Sequence, residues 1–146
     1  MSEQLSILKS VYDEVIEHSK ALKPVESCGY LAGTISESPT EPVDLKIITL
    51  HKMTNLDNEP DHFTFDPKEQ FAALKAARSE GQALLAVYHS HPESPARPSQ
   101  EDLRLLKDPN MIYVIVSLEH NQPDMKAYRI VNEVVTELTV IVKEGA

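Results

Sequence analysis

A largely apolar run, Ala83 to His89, limits what this chain can fold into. A strand wet on one face alternates apolar and polar residues, whereas a near-continuous apolar run marks a strand buried on both faces. Such a strand needs cover on either side, which calls for a central sheet with helices packed on it. The run also fixes what arrives at its C-terminal end, the triplet His89-Ser90-His91.

The rest of the chain supplies that cover. Leu5, Leu8, Val11, Tyr12, Val15, Ile16 and Leu22 recur at three- and four-residue steps, which predicts an amphipathic helix with one apolar face. Ser2 and Glu3 are placed to open it, and Pro24 to close it. Cys28–Thr34 and Val43–Leu50 read as strands joined through the turn-rich residues Ser36 to Pro42. His51 to Asp66 is polar and irregular, with a short strand expected where Phe63 and Phe65 alternate. Asp66-Pro67 is a helix start, an N-cap followed by proline at the first helical position. That helix runs through Phe71, Leu74 and Ala77 to Gly81.

After the stiff loop containing Pro92, Pro95 and Pro98, Ser99 begins a short helix through Leu103, Leu105 and Leu106. Met111 to Leu118 is another apolar strand. Lys126–Val131 and Val134–Val142 form a hairpin across Asn132-Glu133. The expectation is three helices and six or seven strands interleaved: an α/β (mixed α+β) domain spanning residues 1–146, with several antiparallel pairs.

Composition excludes several function classes. With 23 Asp+Glu against 14 Lys+Arg, the formal charge is -9, which disfavours nucleic acid or an anionic membrane as the partner. The single cysteine, Cys28, rules out an internal disulfide and with it a disulfide-stapled secreted domain. The first ten residues lack a basic start followed by an apolar run, and no stretch approaches the length of a membrane span. The expectation is a cytoplasmic protein.

Side chains alternate across a strand, so His89 and His91 point one way and Ser90 the other. Ser99 and Asp102, three apart, lie side by side at the start of their helix. If that helix packs over the strand end, Asp102 joins the two histidines. Two imidazoles, a carboxylate and an open fourth position form the ligand set of a catalytic zinc site, one ion per chain. Ser99 with Asp102 is equally a helix-capping pair, and the two roles are compatible for Ser99. A hydrolytic site also needs a base. Glu93 is close in sequence, but it lies in the proline loop and reads as a solvated carboxylate.

Glu26, in the segment Pro24-Val25-Glu26-Ser27-Cys28-Gly29-Tyr30-Leu31-Ala32-Gly33, precedes His89-Ser90-His91-Pro92, Ser99 and Asp102. In that order these residues resemble the JAMM (MPN+) metalloprotease family. Its pattern is an early glutamate, His-Ser/Thr-His, seven residues, Ser, two residues, Asp. The resemblance covers essentially the whole chain. It implies that His89, His91 and Asp102 hold zinc, that Glu26 is the general base, and that Ser99 steadies the oxyanion. It implies a curved mixed sheet flanked by helices, similar to the cytidine deaminase architecture. It also implies a peptidase or isopeptidase acting after the C-terminal tail of a ubiquitin-like protein, sulfur carriers being one such kind. His51 to Phe65 reads either as a wall of the groove for that tail or as a variable surface connection. Two other functions are weighed against it: a non-catalytic scaffold of the same fold, and a deaminase-like zinc hydrolase. The intact ligand set disfavours the first. The second needs a Pro-Cys-x-x-Cys element that a chain with one cysteine lacks.

Overall fold

The computed structural model describes residues 2–145. In chain order its elements are β1 (Glu3–Leu8), α1 (Lys9–Leu22), β2 (Cys28–Ser38), β3 (Glu41–Met53), α2 (Pro67–Ser79), β4 (Ala83–His91), α3 (Gln100–Leu105), β5 (Ile112–Ser117), β6 (Asp124–Val131) and β7 (Val134–Lys143). The strands form one mixed sheet in the order β1-β3-β2-β4-β5-β6-β7, curved until its two ends meet.

The closure comes from a strand that helical periodicity hides. Residues Glu3 to Leu8 are extended, and β1 pairs in parallel with both β3 and β7. The expected helix therefore starts at Lys9, after a Leu8 N-cap position with no side-chain bond, and not at Ser2-Glu3. Leu5 and Ile7 also alternate, and both are fully buried in the sheet. Glu3 pairs with Arg129 at 2.7 Å, tying the first strand to the sixth.

The apolar run is the central strand of the sheet. β4 lies between β2, antiparallel, and β5, parallel, with His89 opposite Cys28 and Ile115. Its alternate residues feed two cores. Ala86 and Tyr88 join Leu5, Ile7, Leu31, Ile47, Ile112 and Val114 beneath α1. Val87 joins Cys28, Tyr30, Tyr113, Ile115 and Tyr128 beneath α2 and α3. Helices thus cover both faces of the sheet.

Asp66 caps α2, accepting from the Lys68 N–H at 2.9 Å. That helix meets the sheet through Ala73 and Ala77, while Phe71 faces solvent with Lys75 over its ring. Small residues at the contact let the helix lie close to the strands. Gly33 shows how tight the β2–β3 pairing is: a Cβ there would run into the Lys46 carbonyl. At the other end, Asn132 and Glu133 take left-handed conformations, the geometry of a two-residue hairpin turn.

Candidate metal centre

The end of β4 carries His89 and His91 on the α2/α3 side, and Ser99 begins the helix that brings Asp102 to them. Ser99 caps α3 reciprocally: its Oγ accepts from the Asp102 N–H at 3.0 Å, and Asp102 Oδ2 accepts from the Ser99 N–H at 3.0 Å. The capping pair expected from the spacing is therefore what turns the Asp102 carboxylate toward the strand. Asp102 Oδ1 lies 3.1 Å from His89 Nε2, and Oδ2 lies 2.9 Å from His91 Nε2. The two Nε2 atoms are 3.2 Å apart, and all three residues are buried.

The tautomer of His91 decides what this cluster can hold. Its Nδ1 is 2.7 Å from the Pro95 carbonyl, which can only accept, so Nδ1 carries a proton, and the neutral form of the ring keeps its lone pair on Nε2. His91 Nε2 then faces an ionised carboxylate oxygen at 2.9 Å, an acceptor against an acceptor. Such a cluster is stable only around a shared proton or a cation. Tetrahedral ligands at zinc distances would stand roughly 3.3 Å from one another, close to the spacing found here. The residues fit the ion.

The Pro95 carbonyl is itself held. Ser117 Oγ donates to the Ser94 carbonyl at 2.6 Å, and the Tyr128 hydroxyl to the Ala96 carbonyl at 2.6 Å. The proline loop is thus fixed by β5 and β6, and it fixes His91 in turn, as the outer partners of metal-binding imidazoles do. His89 has different support. Its Nδ1 is buried without a partner, and its ring stacks on Phe63 at 5.1 Å between centroids.

Glu26 reaches the same place from the connection between α1 and β2. Its carboxyl oxygen and one ring nitrogen of each histidine all lie within 4.8 Å of one another. The residue is 2% exposed, and Oε1 has no hydrogen-bond partner. Burial, then the charges of Asp102 and Asp61, push its pKa up to about 9. Asp102 goes the other way: burial would raise it, but protons shared with the imidazoles of His89 and His91, and the Ser99 N–H, hold it well below the usual carboxylate range. Burial also pushes the Cys28 thiol up to about 12, so Cys28 is a packed thiol and no nucleophile.

All five residues singled out in the sequence therefore gather at one end of β4, with Ser99 half-buried at the rim. Other participants were not foreseen. Phe63 was visible only as half of an alternating pair, and the carbonyl of Pro95 leaves no sequence signal. Asn55 is a third case, a buried amide in the His51–Phe65 connection that uses all its bonding capacity. Its Nδ2 donates to the carbonyls of Glu26 and His62, and its Oδ1 accepts from the N–H groups of Asp57 and Thr64. A cleft of about 170 Å³ takes its walls from Pro24, Pro60, Pro92, Glu93 and Ser94, several of them chain neighbours of this cluster.

A sheet of this form with a buried His-x-His and carboxylate at one strand end is a JAB1/MPN-type architecture. A JAB1/MPN domain protein from Archaeoglobus fulgidus shares the fold with a TM-score of 0.56 at 22% identity, over 96% of this chain and 98% of that one. Residues 8–131 match the prokaryotic homologs of the JAB domain, and the chain belongs to that family. It is similar to a CysO-cysteine peptidase from Mycobacterium tuberculosis, 31% identical over 142 residues, 96% of this chain and 92% of that protein. It is also similar to a desampylase from Haloferax volcanii, 32% identical over 149 residues, 97% and 99% of the two chains. The solution structure of a Desulfitobacterium hafniense protein matches with a TM-score of 0.87 at 36% identity, covering 97% of this chain and 94% of that one.

Proposed function

We propose that this chain, acting as one catalytic domain of residues 1–146, is a zinc-dependent peptidase or isopeptidase. Its substrate is the bond after the C-terminal tail of a ubiquitin-like protein of the sulfur-carrier kind. The observation that carries the proposal is the convergence of three buried candidate ligand atoms, His89 Nε2, His91 Nε2 and an Asp102 oxygen, beside a buried carboxyl with an unpartnered oxygen. Peptidase and desampylase relatives that align over nearly their whole length support the same reaction class.

His89, His91 and Asp102 would hold the ion. Zinc, when bound, supplies Lewis-acid polarisation and brings the pKa of water down to roughly 7. Glu26 takes the proton of the attacking water and returns it to the leaving amine. Its burial suits both halves of that exchange, because a carboxyl pushed up in pKa can hold a proton near neutral pH. The cation would lower it again, leaving Glu26 poised between the two states. Ser99 Oγ already accepts from Asp102, so its own O–H is free to donate to the developing oxyanion.

The His51–Phe65 connection is the proposed tail-binding wall. Asn55 and Phe65 form a single bridge there, and Phe63 reaches from it to the His89 ring. An extended tail laid along this segment would lead to the metal centre.

The test uses purified chain loaded with zinc and ubiquitin-like carriers bearing C-terminal extensions, with products read by mass spectrometry. Cleavage at the carrier tail, about one zinc per chain and loss of activity in Glu26→Gln are expected. Equal cleavage by wild type and Glu26→Gln rejects the mechanism.

A further inference from the structure

Glu26 belongs to neither helix nor strand: α1 ends at Leu22 and β2 begins at Cys28. A catalytic side chain on a connection must be aimed by something other than its own backbone ladder. The structure supplies that from two sides.

The first side is Ser90, the middle residue of the histidine triplet. The parity of β4 turns it toward α1, away from His89 and His91. There its Oγ accepts from the Ser27 N–H at 2.8 Å, and the Ser90 N–H donates to the Ser27 carbonyl at 3.1 Å. The Ser27 hydroxyl is held as well. Ser19 Oγ gives its one proton to the Val15 carbonyl at 2.8 Å, so across the 2.8 Å contact between Ser19 and Ser27 the donor is Ser27. Ser19, Ser27 and Ser90 are all 0% exposed, so none of them can touch a substrate.

The second side is the connection after β3. The Glu26 N–H donates to the Glu59 carbonyl at 3.0 Å, and the Glu26 carbonyl accepts from Asn55 Nδ2 at 3.1 Å. Every backbone polar group of residues 26 and 27 therefore has a named partner, while the Glu26 carboxyl keeps an oxygen free.

We infer that Ser90 and Asn55 are positioning residues for Glu26: they clamp the backbone of Glu26 and Ser27 so that the carboxyl stays aimed at the imidazole tips. The inference rests on Glu26 being the base. It gives the serine between the histidines a task of its own. The same strand that presents the two histidines on one face registers the base from the other.

The test compares zinc-loaded full-length variants. Because a misplacement of about 1 Å can cost on the order of 100-fold, Ser90→Ala should lower kcat by about 10–100-fold with KM little changed. Zinc content should be unaltered, and Ser90→Thr, which keeps the hydroxyl, should recover kcat. Asn55→Asp, which loses the amide donor to Glu26, should lower kcat in the same way.

A second readout needs no activity. In metal-free protein the Ser27 amide should lose hydrogen-exchange protection in Ser90→Ala and regain it in Ser90→Thr. Wild-type kcat in a Ser90→Ala protein whose Ser27 amide exchanges freely overturns the inference. So does loss of zinc, which would place the effect on the ligands. Should Ser90→Ala fail to fold, Ser90→Cys, of similar volume but a weak acceptor, is read by the same criteria. Glu26→Gln is assayed in parallel. If it keeps wild-type kcat, the base assignment is what has failed, and the inference falls with it.

Discussion

The two faces of β4 treat buried polar atoms in opposite ways. On the α1 side, Ser19, Ser27 and Ser90 satisfy one another and nearby backbone, and the Tyr88 hydroxyl meets His18 Nδ1 at 2.7 Å. On the α2/α3 side, one oxygen of Glu26 and Nδ1 of His89 are buried without partners, and two imidazole nitrogens and a carboxylate crowd within hydrogen-bond distance. An unpaired buried polar group costs about 1–3 kcal/mol, so a fold keeps several together only where something else completes them. The first face is finished by folding. The second is left open by folding, and the proposed ion would complete it.

The sharpest way to break this contrast is chemical. Glu26→Gln should reduce turnover by about 10³-fold, the scale of a general base, with zinc retained. His91→Ala should abolish both turnover and zinc uptake, as read by metal analysis and product formation. Wild-type zinc affinity in His91→Ala would remove the unfinished face as a metal site.

The same Glu26→Gln change should act in reverse on stability when zinc is chelated. The Glu26 carboxyl has a pKa of about 9 when folded against an ordinary 4.5, so the folded state binds the extra proton. Its contribution is complete below pH 4.5 and is lost as pH rises from there to about 9. Metal-free Glu26→Gln should therefore outlast metal-free wild type above pH 4.5. The gap should reach on the order of 3 kcal/mol at neutral pH in urea titrations. A gap that shrinks with rising pH would contradict the burial of this carboxyl.

Zinc should offset the crowding directly. At about 100-fold excess over Kd a ligand stabilises by roughly 2.7 kcal/mol, which for a domain of this size raises Tm by about 5–11 °C. Calorimetry with and without chelator reads this. On the finished face, Tyr88→Phe should cost only about 1 kcal/mol, the worth of one hydrogen bond, and leave turnover alone.

Legibility in the sequence followed the same division. The buried run Ala83–His89, the Asp66-Pro67 start, the Ser99 helix and the last hairpin could be placed because each is written in local patterns of few residues. β1 could not: Leu5 and Leu8 happen to continue the helical spacing of Val11 and Val15, and the choice is made by distant partners in β3 and β7. The helix contact through Ala73 and Ala77, with Phe71 outside, was hidden for a related reason, since the larger residue looks like the packing residue. At the site, His89, His91, Ser99 and Asp102 stand at short fixed spacings and were legible together. Glu26 lies 63 residues before His89, and no spacing rule reaches it; a family pattern was required. Asn55 and Phe63 act through contacts whose residue types are unremarkable in a polar loop.

The parallel pairing of β1 with β7 has a consequence for how this molecule is made. Residues 3–8 cannot complete their second ladder until residues 139–143 have been synthesised, so closing the sheet joins nearly the full length of the chain. Contacts of such sequence separation form late and slowly. The proposed ligands are all in place by residue 102, and the strands between Cys28 and His91 already pair among themselves. A nascent chain thus carries its whole proposed ligand set while its sheet is still open along the β1 edge. Adding zinc during refolding should then accelerate the early phase that orders β2 to α3 and leave the rate of final closure unchanged.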